Sequence, residues 1–300
     1  MAGGLAERMK LYEGAESGRR LMPRLPALAR LDGRAFHSFV RGLARPFDPR
    51  LSALMIDTLG FLVRETNATV GYTQSDEITL AWVPLGADAQ VFFDGRVQKM
   101  TSALAALCSV HFCRRLPAFL PADGTDRFPT FDCRVWNVPT LDEAANVFVW
   151  RELDAKKNSI SMAARAYYDH AAVHGRTGAE LQELLFQKGV NWNNYPAFFK
   201  RGTYSRRRVV RRPFTADERN GLPVKHQGRN NPDLMIERSE VAVFNLPPLP
   251  KLENGAGVLF RGEEPVLKKG TAAVSRNALG ERSVRGTTRR AGEQADDRRE

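Results

Sequence analysis

The stretch from Val70 to Trp82 constrains the chain most, because it reads directly as two strands joined by a tight polar turn. β-branched and aromatic residues fill Thr69 to Thr73 and Ile78 to Val83. The Gln74-Ser75-Asp76-Glu77 run between them is short enough for a hairpin. A turn needs polar residues, but it does not need two adjacent carboxylates beneath an apolar pair of strands. Such a pair resists burial unless cations or hydrogen-bond donors meet it. A surface Asx turn would explain the same residues, so the hairpin alone leaves both readings open.

A second acidic signal shifts the balance. Ala27 to Leu31 reads as a strand, Asp32-Gly33-Arg34 follows it, and Phe36, Phe39, Val40 and Leu43 then recur at helical spacing. This predicts Asp32 where a strand ends and a helix begins. Gly33 would let the backbone pass close to a ligand there, and a helix N-terminus favours anions. Carboxylates at a strand end and in a hairpin turn are placed to share a divalent metal. Mg²⁺ is usually held by one or two carboxylates plus substrate phosphates, an arrangement that suits phosphoryl or nucleotidyl transfer.

The formal net charge of +11 over 300 residues points to a polyanionic partner, nucleic acid first. Cys108, Cys113 and Cys133 have no CxxC spacing, which argues against a disulfide framework or a structural zinc and suits a reducing, cytoplasmic setting. No signal peptide and no run long enough to span a membrane is expected.

In chain order the pattern predicts an amphipathic helix over residues 5–19, the strand at 25–31, a helix at 34–43 and a longer helix from Leu51 to Leu62. After the hairpin come a loop at 84–96, a helix at 97–115 and a strand at Phe131 to Trp136. Pro139 would open a helix to about residue 152. Residues 153–169 are helical, offering Lys156, Lys157 and Arg165 to phosphates. Thr177 and Glu180 form a capping box for a helix that Gly189 ends. Lys200 to Arg208 is the densest basic run, residues 216–236 read as a polar mobile loop, and Glu240 to Leu246 as a strand. The charged tail from about residue 270 is expected to be disordered. Strand, helices, two strands, helix, strand is a split β-α-β order of the ferredoxin-like kind, which would bring Asp32 and the hairpin turn together.

These same pieces, in order, resemble the tRNA-His guanylyltransferase superfamily, in particular its Thg1-like branch of 3′-to-5′ RNA polymerases. The matching stretches are Arg30-Leu31-Asp32-Gly33-Arg34 with Phe36-His37, Ala44-Arg45-Pro46 with Asp48, and Gln74-Ser75-Asp76-Glu77. Further on are Phe131-Asp132-Cys133-Arg134, Trp150-Arg151 with Asp154 and Asn158, and Gly202-Thr203 after a basic pair. The resemblance spans roughly residues 5–268. It implies an α/β fold of the α+β kind: a ferredoxin-like, polymerase-type palm over 1–137, with helices packed on an antiparallel sheet. A C-terminal helical and basic part of the same catalytic unit would follow over 138–268, with a tail over 269–300.

The resemblance also implies the chemistry. The 3′-hydroxyl of an incoming nucleotide attacks a triphosphorylated or adenylylated 5′ end of tRNA, with ATP and GTP or other NTPs as substrates. Two Mg²⁺ ions would be held by Asp32, the Gly33 carbonyl and Asp76, with Glu77 a neighbouring catalytic candidate. Arg30, Arg45, Arg96 and Lys99 would hold triphosphates, and Ser75, His37 and Asp48 would line the nucleotide site together with Arg34, Ala35 and Phe36. Lys156, Asn158, Lys200 or Arg201, and Arg206, Arg207 and Arg208 would meet RNA or phosphate. The family's basic residue directly precedes the glycine, which favours Arg201. A homotetramer is implied as well.

Two departures from the pattern carry information. The eukaryotic guanylyltransferases have a His-Ile-Asn-Asn run after the aspartate matching Asp154, whereas Lys156 stands here at the histidine. That is the Thg1-like type and favours templated repair of truncated 5′ ends over untemplated addition of one G. Cys133 stands where the family usually has glycine, which would strain the backbone if φ were positive there. A nucleotide cyclase, using the same two-carboxylate device on a related palm, is a second reading, and a non-catalytic RNA-binding protein a third. His170 and His174 are four apart but lack acidic or cysteine partners, and are read as structural.

Overall fold

A computed structural model describes residues 4–86, 90–120 and 128–269. The expected tail from about residue 270 lies outside the described residues. The first part runs α1 (Leu5–Ser17), β1 (Ala27–Arg34), α2 (Phe36–Phe39), α3 (Pro49–Glu65), β2 (Val70–Gln74), β3 (Glu77–Trp82), α4 (Val97–Phe119) and β4 (Thr130–Asn137). Its strands stand in the order β4-β1-β3-β2, antiparallel throughout, as the sequence pattern predicts for a ferredoxin-like arrangement. The second part runs α5 (Leu141–Arg165), α6 (His170–Val173), α7 (Gly178–Gln187), α8 (Ala197–Arg201), β5 (Thr203–Pro213), α9 (Ala216–Asn220), α10 (Gln227–Asn230) and β6 (Met235–Phe244). β5 pairs with β2, and β6 with β5, so the second part widens the same sheet to six strands.

The period-2 alternation of β1 sorts its side chains into two layers. Ala27, Ala29 and Leu31 pack with Leu54, Leu59 and Leu62 of α3 and with Met100, Leu104 and Phe112 of α4. Leu28 points the other way, into a core with Phe148 of α5, Tyr204 and Phe260. Arg30 and Asp32 follow Leu28 in the alternation, so they face the α5 layer. A charged pair on a sheet face covered by a helix needs partners: Arg30 meets Asp32 and Glu77, and Arg151 of α5 meets Glu77 from above.

Several local expectations give way to tertiary context. β1 runs on to Arg34, so Asp32 lies within a strand that pairs on both sides. The helix expected at 34–43 is the one-turn α2, because Ala35 takes φ 53° and breaks the entry. α1 buries none of its residues, so its apolar positions do not join the core. One helix, α5, replaces the two expected over 139–169, and Thr140 rather than Pro139 caps it by accepting from the Glu143 amide. The loop expected at 216–236 holds α9, α10 and the start of β6. Cys133 sits in regular β4 pairing opposite Leu31 and is not among the positive-φ residues, so the family's glycine is not needed there. No helix among the described residues is long and apolar enough to cross a membrane.

Candidate active site

The β1–β3 register sets Asp32 opposite Glu77, and the Gly33 amide donates to the Asp76 carbonyl at 3.1 Å. The hairpin closes with two residues, Ser75 and Asp76, between the paired Gln74 and Glu77. Ser75 takes φ 49°, as the first central position of a primed hairpin turn requires. Asp32 and Asp76 thereby meet at one end of the sheet.

Across from them, α5 brings down Arg151, whose side chain is only 5% exposed. Its Nε and Nη2 donate to the two Glu77 oxygens at 2.5 and 2.8 Å, and Nη2 also reaches Asp154 at 2.8 Å. Arg30 Nη2 donates to Asp32 Oδ2 at 2.8 Å, and its Nε lies 2.9 Å from Glu77 Oε2 without hydrogen-bond alignment. Glu77 is therefore the buried anion that fastens two guanidiniums between sheet and helix. Burial pushes its carboxyl up and Arg151, then Arg30, pull it back. Both oxygens of Glu77, the neighbouring catalytic candidate, are engaged by these two cations.

Asp76 is the opposite case. Among the described residues no Lys, Arg or His lies within ion-pair distance of it. Burial pushes its carboxyl above the usual carboxylate value, Ser75 and its own amide pull it back, and the charge of Asp32 pushes further. The two aspartates open into a cavity of ≈ 390 Å³ shared with Arg30, Glu77, Asp154 and Arg165. Among the described residues no three His, Cys, Asp or Glu side chains converge as a ready-made metal cage. The donor set still fits Mg²⁺, which takes hard oxygen ligands, typically one or two carboxylates completed by waters and substrate phosphates. An incompletely compensated carboxylate pair facing an open cavity is such a donor set.

A larger hollow of ≈ 570 Å³ adjoins this cavity, with Gln74, Ser75 and Arg165 in the walls of both. His37, Arg45, Phe47 and Phe199 line it, and it has the volume of a small-molecule site. Asp48 also lines it, but its carboxylate caps α3, accepting from the Arg50 amide at 2.9 Å and pairing with the Arg50 guanidinium at 2.7 Å. Those hydrogen bonds hold its pKa at about 2. Asp48 shapes the wall rather than offering a free acceptor.

Other expected residues fall elsewhere. Arg34 and Ala35 are exposed, and neither lines the two cavities. Phe36 is 4% exposed and packs on Phe39, Phe112 and Phe131, so it is core. A Cβ on Gly33 would come within 2.3 Å of the Phe36 ring, which gives that glycine a packing reason. Arg96 and Lys99 lie at the other end of the sheet. Phe92 stacks on Trp82 and Arg96 bridges to Arg20, while five residues of β3, about 17 Å, separate Trp82 from Glu77. Within one chain they do not join the carboxylates.

The basic run is mostly committed to its own chain. Arg201 donates to the Leu246 carbonyl at 3.1 Å and lies 3.7 Å from buried Glu152, which also accepts from the Tyr204 hydroxyl at 2.9 Å. Gly202 takes φ 76°, and a Cβ there would meet the Tyr72 ring at 2.5 Å. Lys200 donates to the Asn193 carbonyl and sits over the Trp192 ring. Arg206 donates to the Val258 carbonyl and covers Phe244. Arg207 donates to the Arg64 carbonyl and to Ser239 Oγ, each at 2.9 Å. Lys156 is exposed on α5, and Asn158 lines the carboxylate cavity while donating to Asp154 at 3.1 Å. His170 and His174 stack on one another.

Arg151 was not singled out from the sequence as a site residue, although a signal was there. Ala144, Phe148, Arg151 and Ala155 form the buried stripe of α5 at helical spacing, and an arginine on such a stripe demands a buried anion.

Residues 6–139 match the family model described as tRNAHis guanylyltransferase (Thg1). A bacterial Thg1-like protein solved in complex with ATP is 34% identical, with a TM-score of 0.63 over 68% of this chain and 87% of its own. One solved in complex with GTP is 30% identical, with a TM-score of 0.61 over 83% of this chain and 95% of its own. A tRNA(His) guanylyltransferase of Neurospora crassa is 27% identical over 68% of this chain and 72% of its own.

Proposed function

The chain belongs to the tRNA-His guanylyltransferase family of nucleotidyltransferases, and on that premise we propose that it extends tRNA 5′ ends in the 3′-to-5′ direction, guided by the base opposite the gap. The observation that carries the reading is the convergence of Asp32 and Asp76 in one cavity beside a nucleoside-sized hollow. The relatives solved with ATP and with GTP support nucleotides as the occupants. Lys156, standing where the eukaryotic enzymes have histidine, supports the repair branch.

In this reading the 3′-hydroxyl oxygen of the incoming nucleotide attacks the 5′ phosphorus of the tRNA. A new P–O bond forms, the bond to pyrophosphate or AMP breaks, and the hydroxyl proton is lost. Asp32, Asp76 and the Gly33 carbonyl would hold Mg²⁺, which when bound lowers the pKa of the attacking hydroxyl and neutralises the leaving group. Arg30 and Arg151 lock Glu77 in place, and Arg30 orients Asp32 through its 2.8 Å hydrogen bond. Arg45 offers its charge to phosphates from the rim of the larger hollow. The working form is read as a cytoplasmic homotetramer.

The test is an extension assay on a tRNA lacking its first 5′ nucleotide, with ATP, Mg²⁺ and each NTP in turn, varying the base opposite the gap. Addition of only the Watson–Crick partner is the expected result. Addition of G whatever the opposite base would instead make the protein an untemplated guanylyltransferase, the activity for which the Neurospora relative is named. Failure to extend either a monophosphorylated or a triphosphorylated end would overturn both.

A further inference from the structure

Arg165 closes α5 and stands in the walls of both cavities. It is exposed, and among the described residues its guanidinium has no hydrogen-bond or ion-pair partner. The other two arginines of the carboxylate cavity differ. Arg30 is spent on Asp32 and Glu77, and Arg151 on Glu77 and Asp154. In the larger hollow the Asp48 charge is already met by Arg50, so Arg45 and Arg165 leave that hollow cationic. An anionic cavity and a cationic hollow thus lie side by side, with Arg165 on their seam.

A lone arginine in the last turn of a helix has a simpler explanation, since it complements the dipole there. That effect would hold in any direction the side chain took. It does not account for an arginine shared by the two cavities and, among the described residues, left unpaired in a cavity lined by Asp32, Asp76, Glu77 and Asp154.

We propose that Arg165 is a phosphate clamp: it binds the polyphosphate of the nucleotide whose nucleoside fills the larger hollow, and so carries those phosphates across to Asp32 and Asp76. The guanidinium fork matches phosphate oxygens in a bidentate way that an ammonium does not. The assignment rests on the two cavities forming one nucleotide site.

The experiment measures equilibrium binding of ATP and of adenosine, with Mg²⁺, to the wild-type chain and to Arg165→Ala and Arg165→Lys. Arg165→Ala should weaken ATP about 10-fold, the loss of one charge-assisted phosphate contact, while adenosine binding and Tm stay unchanged. Arg165→Lys should recover part of the ATP affinity. ATP bound equally by wild type and Arg165→Ala would overturn the clamp, and so would equal losses for ATP and adenosine, which mark a packing role. A wild-type chain that binds neither would overturn the clamp together with the nucleotide site. If ATP binding depends on Arg165 while the extension assay fails, the clamp stands and the polymerase reading falls.

Discussion

The carboxylate cavity and the β5–β6 ribbon are both strongly charged, and they treat charge in opposite ways. On the ribbon Arg206 and Arg207 donate to backbone carbonyls, and Arg212 is tied to Glu218 and Glu240 at 2.8 Å each. In the cavity Glu77 is sealed by two arginines, yet among the described residues its neighbour Asp76 has no ion-pair partner and feels Arg30 only at a distance. Density of charge in sequence therefore says little about availability. A group left uncompensated in a partly buried place is the better sign of work to be done, because such a group costs stability and persists only where something else requires it.

That contrast is tested most severely at Asp76. Asp76→Asn should lower nucleotide addition on the order of 10³-fold or more, since metal-borne charge stabilisation is worth several kcal/mol. The same change should raise Tm in metal-free buffer at pH 7. The folded-state pKa of Asp76 lies above the unfolded value, so ionising it costs stability as pH rises past the unfolded value and costs nothing below it. The gain should accordingly vanish below pH about 4. Added Mg²⁺ should raise the Tm of the wild type and leave that of Asp76→Asn unmoved. A wild type more stable than Asp76→Asn at pH 7 without metal would mean that Asp76 is compensated after all.

The sealed half of the cavity should respond in stability rather than chemistry. Removing Arg151 leaves the buried Glu77 with Arg30 alone, and breaking such a buried pair typically costs about 3–5 kcal/mol. Replacing both partners by neutral residues of similar size, Glu77→Gln with Arg151→Met, should recover most of that in a urea titration. If Arg151→Ala unfolds no more easily than wild type while losing catalysis, Arg151 serves the substrate and not the frame.

How much of this was legible before the structure follows from the range of the forces involved. The hairpin and the ferredoxin-like strand order were readable because period-2 alternation and turn chemistry act over a few residues, and these already bring Asp32 to Asp76. Partnership is different. Arg207 meets Arg64, and Arg201 meets Glu152, across long sequence separations that no local pattern encodes. Arg96 is a triphosphate candidate by resemblance to the family. Yet α4 starts where β3 ends and runs back toward the carboxylates, which leaves its first turn at the far edge. The resemblance places Phe36 in the nucleotide site, whereas its ring turns under the strand into the core.

Asp48 offers a milder contrast with Asp76, since its charge is satisfied and should stabilise. Its folded pKa of about 2 lies below the ordinary value, so its contribution is present above the unfolded pKa and lost as pH falls from about 4 towards 2. Asp48→Asn should cost about 1 kcal/mol at pH 7, a typical cap loss, with the two proteins converging in Tm as the solution approaches pH 2. A gap that persists there would assign the effect to shape rather than charge.

The smallest effect is expected on the ribbon, and its smallness is what gives it meaning. For Arg207 to reach a tRNA phosphate it must give up two hydrogen bonds of 2.9 Å, to Arg64 and Ser239. Each is worth about 1 kcal/mol net, comparable to what one exposed phosphate contact returns. Arg207→Ala should then change tRNA affinity by less than about twofold, and leave the slope of log K against log salt where it was, since each phosphate contact contributes about 0.9 to that slope. A slope that falls by nearly one would show that the ribbon releases its arginines when RNA arrives, and would erase the distinction between the two charged regions.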